Sequence, residues 1–267
     1  MVTEAFEIAY RRLIRDILDN GEVRKGRNGT TRSLFGRTLV VDLQEGFPLL
    51  KGRRIYYKGV LGELAAMLKG PKTIKDFEDQ GCNYWKLWGK ADGTINVDYG
   101  NSWLDYNGFN QHANLIDTLK HNPTDRRMVI TGWRPDKLDD LDLPCCHYAY
   151  QWYVRDGKYL DMLWHQRSVD TMIGLPSDMV FAAAWNIMIA NEVGLVPGKI
   201  TFTLGDTHIY EEHLMPAREY MGKMIYFEQT DYKLNCPEGT PTVSFTPDML
   251  EIINYTPREP ISFKLKA

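Results

Sequence analysis

Phe6, Tyr10, Leu13, Ile14, Ile17 and Leu18 recur at helical spacing, and the run stops at Asn20-Gly21. That pattern predicts an amphipathic helix with a well-formed end. The polar, glycine-bearing stretch RKGRNGTTRS (24–33) has no apolar period and predicts a mobile loop. GRTLVVDL then reads as a strand, and YYKGVLGELAAMLKG as a helix closed by Gly70. Residues 82–109 are crowded with aromatics and glycines but follow neither period, which fits either a packed irregular connection or the wall of a pocket.

Further along, QHANLIDTLKHNP predicts a helix ending before Pro123, and MVITGW a strand. CHYAYQWYVRDGKYLDMLWHQRS reads as two long strands joined at Asp156-Gly157, a favoured pair for a tight hairpin turn. A helix over about 178–193, a strand KITFTLGD, a helix around EEHLMPAREYMGK and short C-terminal strands follow, with PISFKLKA as a surface tail or lid. Long, mostly non-alternating strands mixed irregularly with helices predict one α+β domain over residues 1–267, with its sheet covered. No repeat, low-complexity tract or linker divides it.

Composition narrows the classes. Over 267 residues, 43% hydrophobic content provides for a sizeable core, and a net charge of -3 lacks the basic excess of a nucleic-acid binder. No segment has the run of apolar residues needed to span a membrane, and no secretory leader is evident, so the expected location is cytoplasmic. Cys82, Cys145, Cys146 and Cys236 have no CxxC spacing and read as thiols.

Several short stretches could carry chemistry. LPCCH sets Cys145 and Cys146 before His147; a thiol becomes a nucleophile where positive charge favours the thiolate, and the alternative is a buried pair of small residues. Adjacent cysteines without a second close pair fit zinc poorly. Arg126-Arg127, Arg167-Ser168 and Arg27 could assemble an anion site, since a bidentate cation and a hydroxyl donor are what a phosphate needs. His208 and Tyr210 share one strand face and could hold a sugar hydroxyl. Glu63 lies in an apolar helix, where it is either paired with an arginine or kept in a site as an acid or base.

In order and spacing these pieces resemble the thymidylate synthase family over nearly the whole chain. The resemblance rests on RNGT, LFGRTLVVDLQEGFPLL, the Glu63 helix, YWKLW, VDYGNSW, NPTDRRMVITGW, LPCCHYAYQWYVRDG, QRSVD, GLPSD, GLVPGKITFTLGDTHIY and NYTP. It implies a large mixed β-sheet covered by helices, and one-carbon transfer to C5 of a pyrimidine nucleotide from 5,10-methylenetetrahydrofolate, with no metal. Cys146 would be the nucleophile adding to C6, with Cys145 where proline is frequent. Arg27, Arg167 and Ser168 would hold the phosphate, with Arg126 and Arg127 reaching in from the partner of a homodimer. His208 and Tyr210 would bind the ribose, Glu63 would organise water and protons, Tyr99 would belong to the network removing the C5 proton, and Trp85, Trp88 and Asp170 would form the folate side. A cysteine hydrolase using Cys146 and His208 would leave the arginines unexplained.

Asp178 is the departure. The family's synthases carry Asn there, whose donor and acceptor suit the N3–H and O4 of uracil. An ionised Asp only accepts, which suits the 4-amino group of cytosine; a protonated Asp would restore uracil. Asp is also the residue of the family's deoxycytidylate hydroxymethylases, which makes that branch the expectation, although Asp178 or Ser177 could instead simply cap a helix. Trp85 and Trp88 keep the synthase pattern, whereas SFKLKA lacks the small apolar terminus that excludes water, which favours a hydroxymethyl over a methyl product. The resemblance suggests a nucleotide destined for DNA modification in a virus or its host.

Overall fold

The computed structural model describes residues 5–225 and 229–266. Thr3 and Glu4 of the first expected helix, and Ala267 of the tail, lie outside them. Helix α1 (Phe6–Asn20) buries Tyr10, Leu13, Ile14 and Ile17, as the periodicity predicts, and ends where the Gly21 amide donates to the Ile17 carbonyl. It packs against the sheet, on strands from both halves of the chain.

The segment expected as a loop is instead a hairpin: β1 (Glu22–Gly26) and β2 (Gly29–Asp42) pair in antiparallel register around Arg27-Asn28. Every residue of β1 is exposed. An edge strand without a buried face has no apolar alternation to display in sequence, which is why the strand was hidden there.

After β2 come α2 (Tyr57–Met67), α3 (Ile74–Glu78), α4 (Asn101–Leu104), α5 (Gln111–His121) and β3 (Val129–Thr131). The long strands β4 (His147–Arg155) and β5 (Tyr159–Asp170) form the expected hairpin, with Asp156 at φ 56° and Gly157 at φ 63°. Helix α6 (Gly174–Val193) then leads to β6 (Val196–Tyr210), α7 (Leu214–Gly222), and a separate small sheet of β7 (Asp231–Leu234) and β8 (Leu250–Ile253).

The main sheet has the order β1-β2-β6-β5-β4-β3 and is mixed, because β5 and β6 run parallel while their outer neighbours run antiparallel. Parallel neighbours need a crossover, and α6 is that crossover. It is buried from Leu175 to Ala190 nearly all round, between the sheet and α2.

The large mixed sheet with its covering helices is as expected, and one expectation about its strands changes. Its strands do alternate: Leu160, Met162, Trp164 and Gln166 are buried, while Tyr159, Asp161, Leu163 and His165 between them are only half-buried. Apolar and aromatic residues on both faces disguise the period in sequence. The helices therefore cover one face closely, and the other stays partly open in a single chain, with Tyr153 63% exposed.

Candidate active site

The parallel pair builds the floor of a cleft. Ser168 is in register with Asp206, and Asp170 with His208, so the ends of β5 and β6 bring these polar side chains to one place. Gly205 permits this approach, because a Cβ there would lie 2.7 Å from the Arg167 carbonyl oxygen. Cys146 precedes β4, where an irregularity between His147 and Ala149 breaks the register. Such a break re-aims side chains at the end of a strand.

The cleft encloses ≈ 440 Å³. Of the residues expected at a site, it is lined by Arg27, Glu63, Trp85, Trp88, Tyr99, Cys146, Arg167, Ser168, Asp170, Asp178, His208 and Tyr210. Arg126 and Arg127 do not line it. They lie exposed before β3, and Arg127 makes a two-pronged contact with Asp125, Nε to Oδ1 at 2.9 Å and a terminal nitrogen to Oδ2 at 2.7 Å.

Arg167 is clamped beside the thiol. Its Nε donates to the Cys145 carbonyl at 2.7 Å, a terminal nitrogen donates to the Pro144 carbonyl at 3.0 Å, and its amide donates to the Cys146 carbonyl at 2.8 Å. Burial pushes the Cys146 thiol above its ordinary value, and the Arg167 charge opposes that rise. The Cys146 amide donates to the Tyr99 hydroxyl, whose ring packs 4.5 Å from that of His147. Cys145 points the other way and is buried, its thiol at 3.5 Å from the Gly132 carbonyl.

Among the described residues, Glu63 on α2 has no arginine as a hydrogen-bond partner. Tyr84 donates to one carboxylate oxygen at 2.7 Å and the Trp85 indole to the other at 2.6 Å. Burial nonetheless pushes its carboxyl up to about 7, against the lowering effect of both donors. A Cβ at Gly62 would fall 2.3 Å from the Gln80 carbonyl oxygen, so glycine lets the loop carrying Tyr84 and Trp85 close onto the helix. Trp85 stacks on Phe77 at 4.8 Å and meets Trp88 at 5.4 Å, so the irregular 82–109 segment is both packed connection and pocket wall.

Asp178 does not cap α6. The helix starts at Gly174, four residues before it was expected, because a proline in the first turn loses no hydrogen bond. Asp170 serves the helix entrance instead, accepting from the Met172 and Ile173 amides at 2.9 and 3.1 Å, while Ser177 donates back to the Ile173 carbonyl. Asp178 faces the cleft, where Gln166 Nε2 donates to its Oδ2 at 2.7 Å and His147 Nε2 stands 4.0 Å from its Oδ1. Burial pushes its carboxyl up to about 8, with the Gln166 hydrogen bond opposing and the Glu63 and Asp170 charges adding to the rise.

On the far side, Asp206 accepts from Ser33 at 2.6 Å and contacts His208 Nδ1 at 3.0 Å, holding that imidazole over the cleft. The tail also reaches the site: Leu265 and Lys266 line it. Lys266 pairs with Glu212 and lies 5.9 Å from the Tyr210 ring centre. The Lys264 carbonyl contacts His213 Nε2 at 2.9 Å, and Phe263 packs on the same imidazole and under Arg53. Lining residues that sequence reasoning left without a role include Gln166, Tyr84 and His147, each adjacent to a residue it did single out.

Among the described residues no group of three or more His, Cys, Asp or Glu could hold a metal ion, and no helix is long and apolar enough to cross a membrane. A thiol beside a clamped guanidinium, with two half-buried carboxyls of raised affinity for protons, has the character of an enzyme site for proton-coupled chemistry. The family model for thymidylate synthase matches residues 8–267, and the chain belongs to the thymidylate synthase family. It is a one-carbon transferase, using methylenetetrahydrofolate to modify C5 of a pyrimidine nucleotide.

Proposed function

We propose that the enzyme is a deoxycytidylate hydroxymethylase converting dCMP to 5-hydroxymethyl-dCMP. The observation that carries this reading is Asp178, a half-buried carboxyl facing the cleft with Gln166 on one oxygen and His147 opposite the other.

In this reading Arg27, Arg167 and Ser168 bind the phosphate, and His208 and Tyr210 the ribose. Cys146 adds to C6 of the base: its sulfur forms the new bond, and the electron pair of the C5–C6 double bond moves toward C5 as N3 takes a proton. Asp178 is the proton source for N3, which its raised affinity for protons permits near neutral pH. The C5 proton later leaves through Tyr99 and water organised by Glu63. Trp85, Trp88 and Leu143 offer an apolar wall, and Asp170 a polar edge, for the folate, which supplies the one-carbon unit when bound. The charged tail residue Lys266 in the cleft supports capture of water by the C5 substituent, giving a hydroxymethyl group.

The homodimer is supported by two features: Arg126 and Arg127 lie exposed outside their own cleft, and one sheet face stays partly open. Mixing an inactive Cys146→Ala chain with an inactive Arg127→Ala chain should then restore activity, because one of the two sites in the heterodimer is intact.

A second reading, thymidylate synthase acting on dUMP, is favoured by one observation: a carboxyl raised to about 8 is protonated at pH 7 and can donate to O4 as an amide would. The decisive experiment supplies methylenetetrahydrofolate with dCMP or dUMP, weighs the product by mass spectrometry and assays dihydrofolate. Hydroxymethyl-dCMP without dihydrofolate is the expected outcome; preferential turnover of dUMP overturns the reading.

A further inference from the structure

We infer that Tyr84 is a positioning residue that sets Glu63 to take a proton from water, and so steers the C5 substituent toward a hydroxymethyl rather than a methyl group. This role rests on the hydroxymethylase reading of the preceding section and names the side chain that enforces its product.

Tyr84 is fixed along helix α2. A Cβ at Gly59 would stand 3.4 Å from Tyr84 Cε1, so glycine lets the ring lie against the helix one turn before Glu63. Positions 59 and 63 are four apart and share a face. The Tyr84 hydroxyl donates to Glu63 Oε2 at 2.7 Å, while the neighbouring Trp85 indole donates to Oε1 at 2.6 Å. Cys82 is buried and in hydrogen-bond contact with the Tyr84 hydroxyl, and its sulfur also receives the Tyr84 and Trp85 amides. Burial, with the Glu63 charge adding, pushes that thiol up to about 12 and the Tyr84 phenol well above its ordinary value, so both stay protonated at neutral pH. With amides on the sulfur's acceptor side, its S–H goes to the phenol oxygen, and the single phenol proton is committed to Glu63.

Neutral donors suit a base. An arginine partner would hold the carboxylate ionised too firmly to accept a proton near neutral pH, and a buried carboxyl with no donor would stay neutral. Between these limits, burial raises Glu63 to about 7, with the Tyr84 hydrogen bond the largest opposing influence. The titratable groups that act on it are Tyr84 and Cys82 from the loop and Asp178 from α6. A carboxylate has about four lone-pair sites, and Tyr84 and Trp85 occupy one each, which leaves room for water to donate. Glu63 lines the same cleft as Cys146, where the base is proposed to sit, and as Trp88 on the proposed folate wall.

Once the one-carbon unit is on the base and tetrahydrofolate is released from it, C5 carries a doubly bonded methylene group and Cys146 is still attached to C6. The water oxygen bonds to the methylene carbon as Glu63 takes one of its protons, and the displaced electron pair moves into the ring. That pair re-forms the C5–C6 double bond when Cys146 leaves with its bonding pair as thiolate. In the competing route the methylene takes a hydride from tetrahydrofolate, becoming methyl while the folate is oxidised to dihydrofolate, and no base is needed. Only the first route depends on an ionised Glu63, so the product ratio reports on Tyr84 independently of every step before the branch.

The test pairs a titration of the free enzyme with product analysis. Carbon-13 spectra of glutamate-labelled wild type, with the Glu63 signal assigned by its loss in Glu63→Gln, should show this carboxyl titrating near pH 7. A midpoint at the ordinary 4.5 overturns the inference even if the Tyr84 variant fails to fold. In Tyr84→Phe the midpoint should rise by about 1 to 2 pH units, the scale of one hydrogen bond to a charged group. The ratio of hydroxymethyl-dCMP to methyl-dCMP should fall about 10- to 150-fold, with dihydrofolate formed alongside the methyl product. An unmoved midpoint or an unmoved product ratio overturns the role of Tyr84. A wild type that yields mainly methyl-dCMP, or that prefers dUMP, sinks the hydroxymethylase reading as well, whereas a wild type that yields hydroxymethyl-dCMP with an unmoved variant ratio sinks only the role of Tyr84.

Discussion

Gln166 Nε2 donates to Asp178 Oδ2 at 2.7 Å, joining the β5 strand that carries Arg167 and Ser168 to the helix that carries Asp178. The side chain proposed to face the base is therefore held by the strand that also carries groups proposed to hold the phosphate. Asp178→Asn should keep this bond through its amide oxygen while presenting a permanent donor to the base. Turnover of dUMP should rise and that of dCMP fall, with the kcat/KM ratio moving by about 10⁴-fold or less, the upper range for a site built on one hydrogen-bonding pattern. Paired kinetics on both nucleotides checks this, and an unmoved ratio removes Asp178 from base selection.

The same residue sets a pH dependence of stability. Its carboxyl has an ordinary value of 3.8 and is raised to about 8 in the fold. Between those values the folded chain holds a proton that the unfolded chain releases, so this contribution is fully present below pH 3.8 and is lost as pH rises to about 8. Asp178→Asn does not titrate. Thermal melts should show the variant gaining on the wild type from pH 5 to pH 8; a constant difference in Tm would contradict the raised value.

Cys146 should be alkylated slowly in the free enzyme, because burial holds its thiol above the ordinary value. Nucleotide and folate together should protect it further. Arg167→Ala removes the charge that opposes the rise, so its alkylation rate at pH 7 should drop. Mass mapping of the labelled peptide distinguishes Cys146 from the other half-buried thiol, Cys236; equal labelling of Cys146 with and without ligands would argue against its place in the nucleotide site.

The tail contact is electrostatic and half-exposed: the Lys266 side chain is 24% and that of Glu212 39% accessible. Lys266→Ala should therefore raise the KM for folate by only about 1.4- to 5-fold, the scale of an exposed ion pair, and should abolish most of its salt dependence. Steady-state folate titrations at low and high salt measure both. A larger effect without salt dependence would mean that the tail is held by Phe263 packing instead.

Much of this architecture was legible in sequence. The helical period of α1, the Asp156-Gly157 turn and the motif residues around Cys146, Arg167 and His208 needed no structure, because local backbone preference and spacing encode them. The β1–β2 hairpin was not legible, since an exposed edge strand has no buried face to impose alternation. The start of α6 was misplaced because Pro176 reads as a boundary, although the first turn of a helix accepts it. Gln166 and His147 meet Asp178 through contacts that close only in three dimensions. Gln166 reaches twelve positions along the chain to Asp178, and no local spacing rule marks that pair.

Helix α6 has another consequence. Being buried on nearly all sides, it has no soft face about which to turn, and a rotation equivalent to one residue would swing Asp178 by about 100°. Trp185, stacked on Trp103 at 4.3 Å, and Ile187 thus act as the bearings of a pointer whose tip is Asp178. Repacking them would blur what the enzyme accepts before it unfolded the enzyme, so a screen for altered nucleotide preference should return substitutions deep in the hydrophobic interior as well as in the cleft.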